Sequence, residues 1–388
     1  MDIYERHQKV WKLLYALNHR WICRKFHLKH EDLHVEGPVL LISNHVTNWD
    51  PLLVAMSLRD KQMYYVASEH IFRMGPITRI LNWLLAPIPR PKASSGAETA
   101  WACIRHLRAG RSICLFAEGE CCWDGRSTTV VPATGKLARL SGATLVTYRL
   151  EGGYLTLPRW AKHRRRGKML GHPVHIYPPE QLKTMKPDEI EAIINRDIYE
   201  DAWARQAEDP VEFRCSTPAE GLEQGLYLCP ECGRIGTLRT KGDRIFCDCG
   251  LSIRYTATGG FSPDTPFSNF AEWDTFQKDR LRHLDFHRAV QAGSDTGELL
   301  FSDDGLTLTQ IGGSHREEIL GRGRLRQFAD RLECAGFSFT MEEIHHMAMV
   351  KADRLLFTCG DNYYQIRTKK SVNLRKYLEL WRGKNEEE

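Results

Sequence analysis

Apolar residues along this chain change their period, and the changes mark out its parts. Val39-Leu40-Leu41-Ile42 is a short run without a polar interruption, the pattern of a parallel strand buried on both faces. Asp50-Pro51 follows and reads as a helix start, an N-cap acceptor ahead of the helical position that suits proline. Ser112-Ile113-Cys114-Leu115-Phe116 is a second apolar strand. Before it, Ala97 to Ala109 reads as an amphipathic helix ended by Gly110, with Trp101, Ile104 and Leu107 at helical spacing. Lys186 to Gln206 reads as one long helix closing this α/β unit.

Farther on the period shortens. Gly236-Thr237-Leu238 and Arg244-Ile245-Phe246 suit two short strands, and Phe270 to His287 looks helical. From Glu298 short alternating segments recur at Leu299-Leu300-Phe301, Leu306-Thr307-Leu308, Phe337-Ser338-Phe339, Leu355-Leu356-Phe357 and Tyr363-Tyr364-Gln365-Ile366. A final helix is expected over Val372 to Trp381, and Glu386 to Glu388 as a frayed tail. A small antiparallel β-domain capped by a C-terminal helix fits this stretch, similar in outline to a pleckstrin-homology barrel. No internal repeat or low-complexity stretch is visible.

Candidate chemistry sits at the strand ends. His45 lies between the first strand and the helix start, with Asp50 five positions on, a general base and its orienting partner by residue type. Spacing alone does not choose this pair, since roughly one His-x-x-x-x-Asp arises by chance in such a chain. His27 and Asp32 match it too, in the charged stretch Phe26-His27-Leu28-Lys29-His30-Glu31-Asp32. Context favours His45: it follows an apolar strand, and open α/β folds place their chemistry at the carboxyl ends of strands. Asp50 as a plain helix cap, with His45 a surface loop residue, is the alternative. The second apolar strand also ends in polar residues, Ala117-Glu118-Gly119-Glu120.

Asn44-His45-x-x-x-x-Asp50 followed by Phe116-x-Glu118-Gly119 resembles the glycerolipid acyltransferases, especially the 1-acylglycerol-3-phosphate acyltransferases. Ile88-Pro89-Arg90 is similar to that family's second block, and Gly142 to Arg149 to its fourth-block strand. The resemblance covers roughly residues 10 to 205. It implies a sheet flanked by helices and transfer of an acyl group from acyl-CoA or acyl carrier protein to a lysophosphatidate-type hydroxyl. It further implies His45 as base, Asp50 as its partner, and Asn44, Arg90, Glu118 and Gly119 in substrate binding. This chemistry needs no acyl-enzyme, so Cys121 and Cys122 are not required as nucleophiles. Two departures stand out. Glu118-Gly119-Glu120-Cys121-Cys122 lacks the family's arginine at position 121, which leaves Arg126 as a candidate replacement. The fourth block lacks its usual proline and carries Arg149.

Cys229-Pro230-Glu231-Cys232-Gly233 and Cys247-Asp248-Cys249-Gly250 place four of the twelve cysteines within twenty-one residues. Two such pairs, each followed by glycine, resemble a zinc ribbon with Cys229, Cys232, Cys247 and Cys249 as ligands of a structural zinc, since four protein thiolates leave no open position. The other eight cysteines follow no framework spacing. With no signal peptide apparent, they suggest a reducing cytoplasm.

The formal net charge of +5 over 388 residues does not argue for nucleic acid. Around the ribbon, Arg234, Arg239, Lys241, Arg244 and Arg254 are offset by Glu231, Asp243 and Asp248. Arg159, Lys162, Arg164, Arg165, Arg166 and Lys168 form a basic cluster, suited to lipid headgroups or cofactor phosphates or simply to solvent. No apolar run reaches the length of a membrane span. Val10 to Leu17 with Trp21, Ile22, Arg24, Lys25 and Phe26, and the segment Ile77 to Leu85, instead suit interfacial helices, or core.

The division expected is an amphipathic helical segment at 1–30, an acyltransferase domain at 31–206, a linker at 207–228, the ribbon at 229–255, and a helix with a β-rich domain at 256–388. The fold class is α/β, followed by the ribbon and a small, mostly β domain. The function expected is that of a cytoplasmic acyltransferase associated with the cytoplasmic face of a membrane. The alternative is a zinc-ribbon protein binding nucleic acid or protein, its acyltransferase half vestigial.

Overall fold

The computed structural model describes residues 3–68, 76–90, 96–262, 265–283, 299–312, 316–369 and 372–385. The chain forms two compact units. Unit 1 holds residues 1–159 and 164–214, and unit 2 holds 160–163 and 215–388. The stretch 207–228 is therefore shared between the units. It contains a turn of 3₁₀ helix at Leu222–Gln224 and the buried Leu222, Leu226, Tyr227 and Leu228.

Unit 1 runs α1 (Ile3–Phe26), β1 (Leu28–His30), β2 (Val39–Ser43), α2 (Asp50–Ala55), β3 (Met63–Ser68), α3 (Pro76–Leu85), β4 (Ile88–Arg90), α4 (Ala97–Arg108), β5 (Ser112–Leu115), α5 (Thr134–Ser141), β6 (Thr144–Glu151), α6 (Gly153–Thr156), β7 (Met169–Tyr177), α7 (Pro179–Thr184), α8 (Pro187–Ile198) and α9 (Ala202–Glu208). Its seven strands form one sheet in the order β1-β7-β6-β2-β5-β3-β4, parallel throughout except for the β6–β7 pair. Because β1 is an edge strand of that sheet, the segment before residue 31 is built into the α/β layer.

The central strand β2 is buried along its whole length, which explains its unbroken apolar run. On α4, Cys103, Ile104 and Leu107 face the core, while Trp101 is 54% exposed and lies outside the stripe expected for it. Close packing of α5 on α8 depends on Gly135, where a Cβ would come within 2.0 Å of the Pro187 carbonyl oxygen. The single helix expected over 186–206 is two. Asp201 accepts hydrogen bonds from the N–H groups of Trp203 and Ala204 at 2.9 and 3.1 Å, so it starts α9 afresh after an extended Tyr199.

Unit 2 begins with a three-stranded antiparallel sheet of β8 (Arg239–Lys241), β9 (Arg244–Phe246) and β10 (Ser252–Arg254). The first of these strands lies just beyond the segment 236–238 expected for it. Helix α10 spans Phe270–Arg282; residues 284–287 of the expected helix lie outside the described residues.

A second seven-stranded sheet is wholly antiparallel, in the order β14-β13-β12-β11-β17-β16-β15. Its strands are β11 (Leu299–Ile311), β12 (Glu317–Phe328), β13 (Arg331–Cys334), β14 (Phe337–Thr340), β15 (Ile344–Val350), β16 (Arg354–Cys359) and β17 (Asn362–Thr368). The two segments expected at 299–301 and 306–308 are one long strand, with register shifts near residues 299–301, 303–306 and 308–309. The last helix, α11 (Arg375–Asn385), starts later than expected because the Asn373 side chain accepts from the Lys376 N–H at 3.1 Å. Under it, Arg375 forms a fully buried two-pronged ion pair with Asp274 of α10, at 2.7 and 2.8 Å. The tail at 386–388 lies outside the described residues.

Candidate active site

Strands β2 and β5 are parallel neighbours, so the loops after their carboxyl ends emerge side by side. Backbone bonds lock them together. The His45 N–H donates to Glu118 Oε1 at 2.7 Å, and the Cys122 N–H donates to the His45 carbonyl at 2.9 Å. His45 Nδ1 lies 2.8 Å from Asp50 Oδ2, and its ring stacks on Phe116 at 4.6 Å between centroids. A carboxylate only accepts, so Nδ1 carries the proton and Nε2 is left as the basic nitrogen.

Asp50 is fully buried and is the first residue of α2, with Trp49 in the cap position. Its carboxylate therefore does not cap the helix as expected. It reaches back over the loop, where Oδ2 accepts from the N–H groups of Val46 and Thr47 at 2.7 and 2.8 Å, and Oδ1 from the Thr47 hydroxyl at 2.8 Å. These donors fix its orientation toward the imidazole. The His45 side chain keeps 19% of its surface exposed. Burial pulls its pKa down, yet the neighbouring Cys121 and Asp50 outweigh burial and hold it well above the usual histidine value.

Cys121 is the near neighbour on the other side. Its Sγ lies 3.4 Å from His45 Nε2, the ring nitrogen that does not face Asp50. The sequence pattern gave no reason to pair these two residues, because their proximity comes from the β2–β5 register.

Glu118 is 7% exposed, and both its oxygens are occupied. Oε2 accepts from the Thr128 N–H at 2.7 Å and from its hydroxyl at 3.1 Å, in addition to the His45 bond on Oε1. Burial pushes its pKa up to about 7, against these hydrogen bonds, which lower it. Gly119 has φ +82°, a left-handed conformation. A Cβ there would lie 3.1 Å from Arg90 Nη1, so the glycine leaves room for the guanidinium. Arg90 ends β4 and is partly buried, and burial lowers its pKa. It has no hydrogen bond or ion pair with any described residue. It is a cation beside the Glu118-Gly119 turn without a counter-ion among the described residues.

Other expected residues are placed differently. Asn44 is fully buried, with its amide spent on the backbone of Leu150: Nδ2 donates to the carbonyl at 2.9 Å and Oδ1 accepts from the N–H at 2.8 Å. It clamps the end of β2 to β6 and has no surface for a substrate. Arg126 is paired with Asp201 at 3.1 Å. The cation that comes to the Cys121 segment is Arg159, whose Nη1 donates to Glu120 Oε2 at 2.7 Å and to the Cys121 carbonyl at 3.2 Å, with the guanidinium 4.3 Å over the Trp123 ring. Its sequence signal was the unusual acid at position 120, which pairs with it. Arg159 and Arg165 are almost fully buried, so the basic cluster is not one exposed patch. In the second His-x-x-x-x-Asp match, Asp32 lies against His30 at 3.4 Å, leaving His27 on the exposed side.

In unit 2 the four cysteine sulfurs lie within 4.8 Å of one another. Cys229 and Cys249 are 3.6 Å apart, and Cys232 and Cys247 are 3.9 Å apart. Metal–sulfur bonds of about 2.3 Å in a tetrahedron separate sulfurs by about 3.8 Å, so the set could hold a metal ion as it stands. Arg234 and Thr237 lie 3.4 and 3.1 Å from the Cys232 and Cys247 sulfurs, where they can support thiolate charge.

Residues 24–151 match the family model described as Acyltransferase. A 1-acyl-sn-glycerol-3-phosphate acyltransferase of Streptococcus pneumoniae (strain ATCC BAA-255 / R6) is 26% identical over 164 residues, covering 40% of this chain and 56% of that protein. The chain thus spans little more than half the length of that curated relative. Among solved structures, the 1-acyl-sn-glycerophosphate (LPA) acyltransferase PlsC from Thermotoga maritima aligns with 49% of this chain and 78% of its own. The identity there is 16% and the TM-score 0.39.

Proposed function

We propose that this chain, which carries an acyltransferase-family domain over residues 24–151, moves a fatty acyl group from acyl-CoA or acyl carrier protein to the hydroxyl of a lysophosphatidate-type acceptor. The observation that carries this reading is the His45–Asp50 pair, with the carboxylate held by three further donors in the Val46–Thr47 turn.

His45 Nε2 takes the acceptor's hydroxyl proton as the oxygen attacks the thioester carbonyl. The C–O bond forms, the C–S bond breaks, and the imidazolium returns its proton to the departing thiolate. Asp50 stabilises the imidazolium between these steps. The acceptor's phosphate would bind Arg90, whose planar fork matches phosphate oxygens and meets no competing carboxylate among the described residues. Glu118 acts at one remove: by holding the His45 N–H it keeps the β2 and β5 loops in register.

Two further parts belong to this reading. Zinc held by Cys229, Cys232, Cys247 and Cys249 would supply a fixed tetrahedral knot in a stretch with few core side chains. Contact with a membrane surface is supported by α1, where Leu13, Leu17 and Trp21 recur every fourth residue at 61%, 69% and 52% exposure, among the exposed Lys9, Lys12, Arg20 and Arg24. No helix among the described residues is long and apolar enough to cross a membrane.

The test feeds the purified chain a mixture of lysophospholipid acceptors with each thioester donor and identifies the acylated lipids. Transfer to a phosphate-bearing acceptor, lost in His45→Ala, is expected. Equal transfer by the variant would overturn the mechanism, and nucleic-acid affinity without any transfer would favour the ribbon-centred alternative.

A further inference from the structure

The His-Asp match that takes no part in acyl chemistry borders a cluster of its own. His19 and Cys23 stand four positions apart on α1 and so share a face, and His30 ends the edge strand β1. His19 Nε2 lies 2.8 Å from His30 Nε2 and 3.6 Å from Cys23 Sγ. One ligand atom from each residue lies within 4.8 Å of the other two, and all three residues are half-buried.

An N–H···N hydrogen bond between the imidazoles would account for the shortest of these contacts. It does not account for a thiol facing the same nitrogen, nor for the far side of His30. There Nδ1 is buried without a hydrogen bond, 3.4 Å from Asp32 Oδ1. A carboxylate behind the second nitrogen of a histidine is the arrangement that orients ligating imidazoles. The His19 ring is held by stacking on Tyr15 at 4.7 Å, and the two imidazoles meet at 90°.

We propose that His19, Cys23 and His30 form a second metal site in this chain, taking zinc or a similar borderline divalent ion and clamping α1 to β1. Zinc bonds of about 2.0–2.1 Å to nitrogen and 2.3 Å to sulfur place tetrahedral neighbours about 3.3–3.6 Å apart. The thiol–imidazole separation already fits, and the imidazole pair has to open by about half an ångström. The two ligands on α1 and the one on β1 make the ion a cross-link between the N-terminal helix and the sheet. Three protein ligands leave a fourth position for water, and a surface hollow lined by Tyr15, His19, Arg59 and Asp60 opens beside them.

The test counts zinc in the full chain after loading and gel filtration, by plasma mass spectrometry. The wild type should hold two ions, and His30→Gln, Cys23→Ser and Cys229→Ser one each. His30→Gln and Cys23→Ser should leave unchanged the cobalt–thiolate absorption of the four-cysteine site. Equal zinc in the wild type, His30→Gln and Cys23→Ser would overturn the proposal. Should the variants fail to fold, hydrogen exchange of the wild type decides. Zinc should slow exchange across 16–31 as well as in the ribbon, and slowing confined to the ribbon would overturn the site.

Discussion

Replacing Asp50 by Asn removes one charge and little volume, which isolates what the carboxylate does for His45. The asparagine oxygen can take the Oδ2 position, keeping the bonds from His45 Nδ1, Val46 N and Thr47 N, now at 2.8, 2.7 and 2.8 Å. Its NH₂ then faces the Thr47 hydroxyl, which can turn to accept. The fold should lose only about 1–3 kcal/mol, the difference between charged and neutral acceptors. The transition state loses more, because the imidazolium forms against a neutral partner in a buried loop. About 3–5 kcal/mol there corresponds to a fall in kcat of about 10²–10⁴-fold. Loss of the charge also lowers the His45 pKa, so the acidic limb of kcat/KM, placed above the usual histidine value in the wild type, moves to lower pH in the variant. Acyl transfer from labelled acyl-CoA to lysophosphatidate, followed across pH on protein of checked thermal stability, reads both effects. Activity within about threefold of wild type, with an unmoved limb, would refute the assignment of Asp50 to the base.

Arg90→Ala should raise the acceptor KM by about ten- to a hundredfold with little change in kcat, and Arg90→Lys should restore only part of it, because a point charge does not reproduce the fork; steady-state kinetics with varied acceptor distinguish these. Cys121→Ala removes the thiol facing Nε2, so the acidic limb should again shift to lower pH while the melting temperature changes little. Glu118, pushed up to about 7 by burial, favours the folded state when protonated. That contribution is complete below its ordinary pKa and fades as pH rises through about 7, so denaturant titrations of Glu118→Gln should vary less between about pH 5 and pH 8 than those of wild type. Arg375→Met leaves the buried Asp274 carboxylate with Lys278 and the Gln277 amide but without its two-pronged partner; unit 2 should lose about 3–5 kcal/mol, read as faster hydrogen exchange across α10 and α11.

The loops that carry His45 and Glu118 were legible because they follow buried parallel strands with unbroken apolar runs: β2 and β5 are named by their residues alone. What the residues could not give was pairing. The Asn44 amide is set against Leu150, more than a hundred positions away, and no local pattern separates a substrate ligand from a backbone clamp. Arg159 reached the third block, and Arg126 went to Asp201, for the same non-local reason. In unit 2, β12 was missed because half of Glu317–Phe328 is exposed, five of its twelve residues are charged, and glycines stand at 321 and 323. Its place comes from hydrogen bonding to β11, which leaves no apolar alternation to read. Strand β15, with paired histidines in Ile344–Val350, lacked the period for the same reason. The helix break at Tyr199–Asp201 was readable in principle, since an Asp followed by small and aromatic residues can cap. The apolar spacing on both sides concealed it.

The central claim is that His45 is the base of an acyl transfer to a hydroxyl. The most direct test is the single-turnover rate of His45→Gln with saturating thioester donor and lysophosphatidate. A fall of at least about 10³-fold with substrate binding retained is predicted. A rate within tenfold of wild type would contradict it.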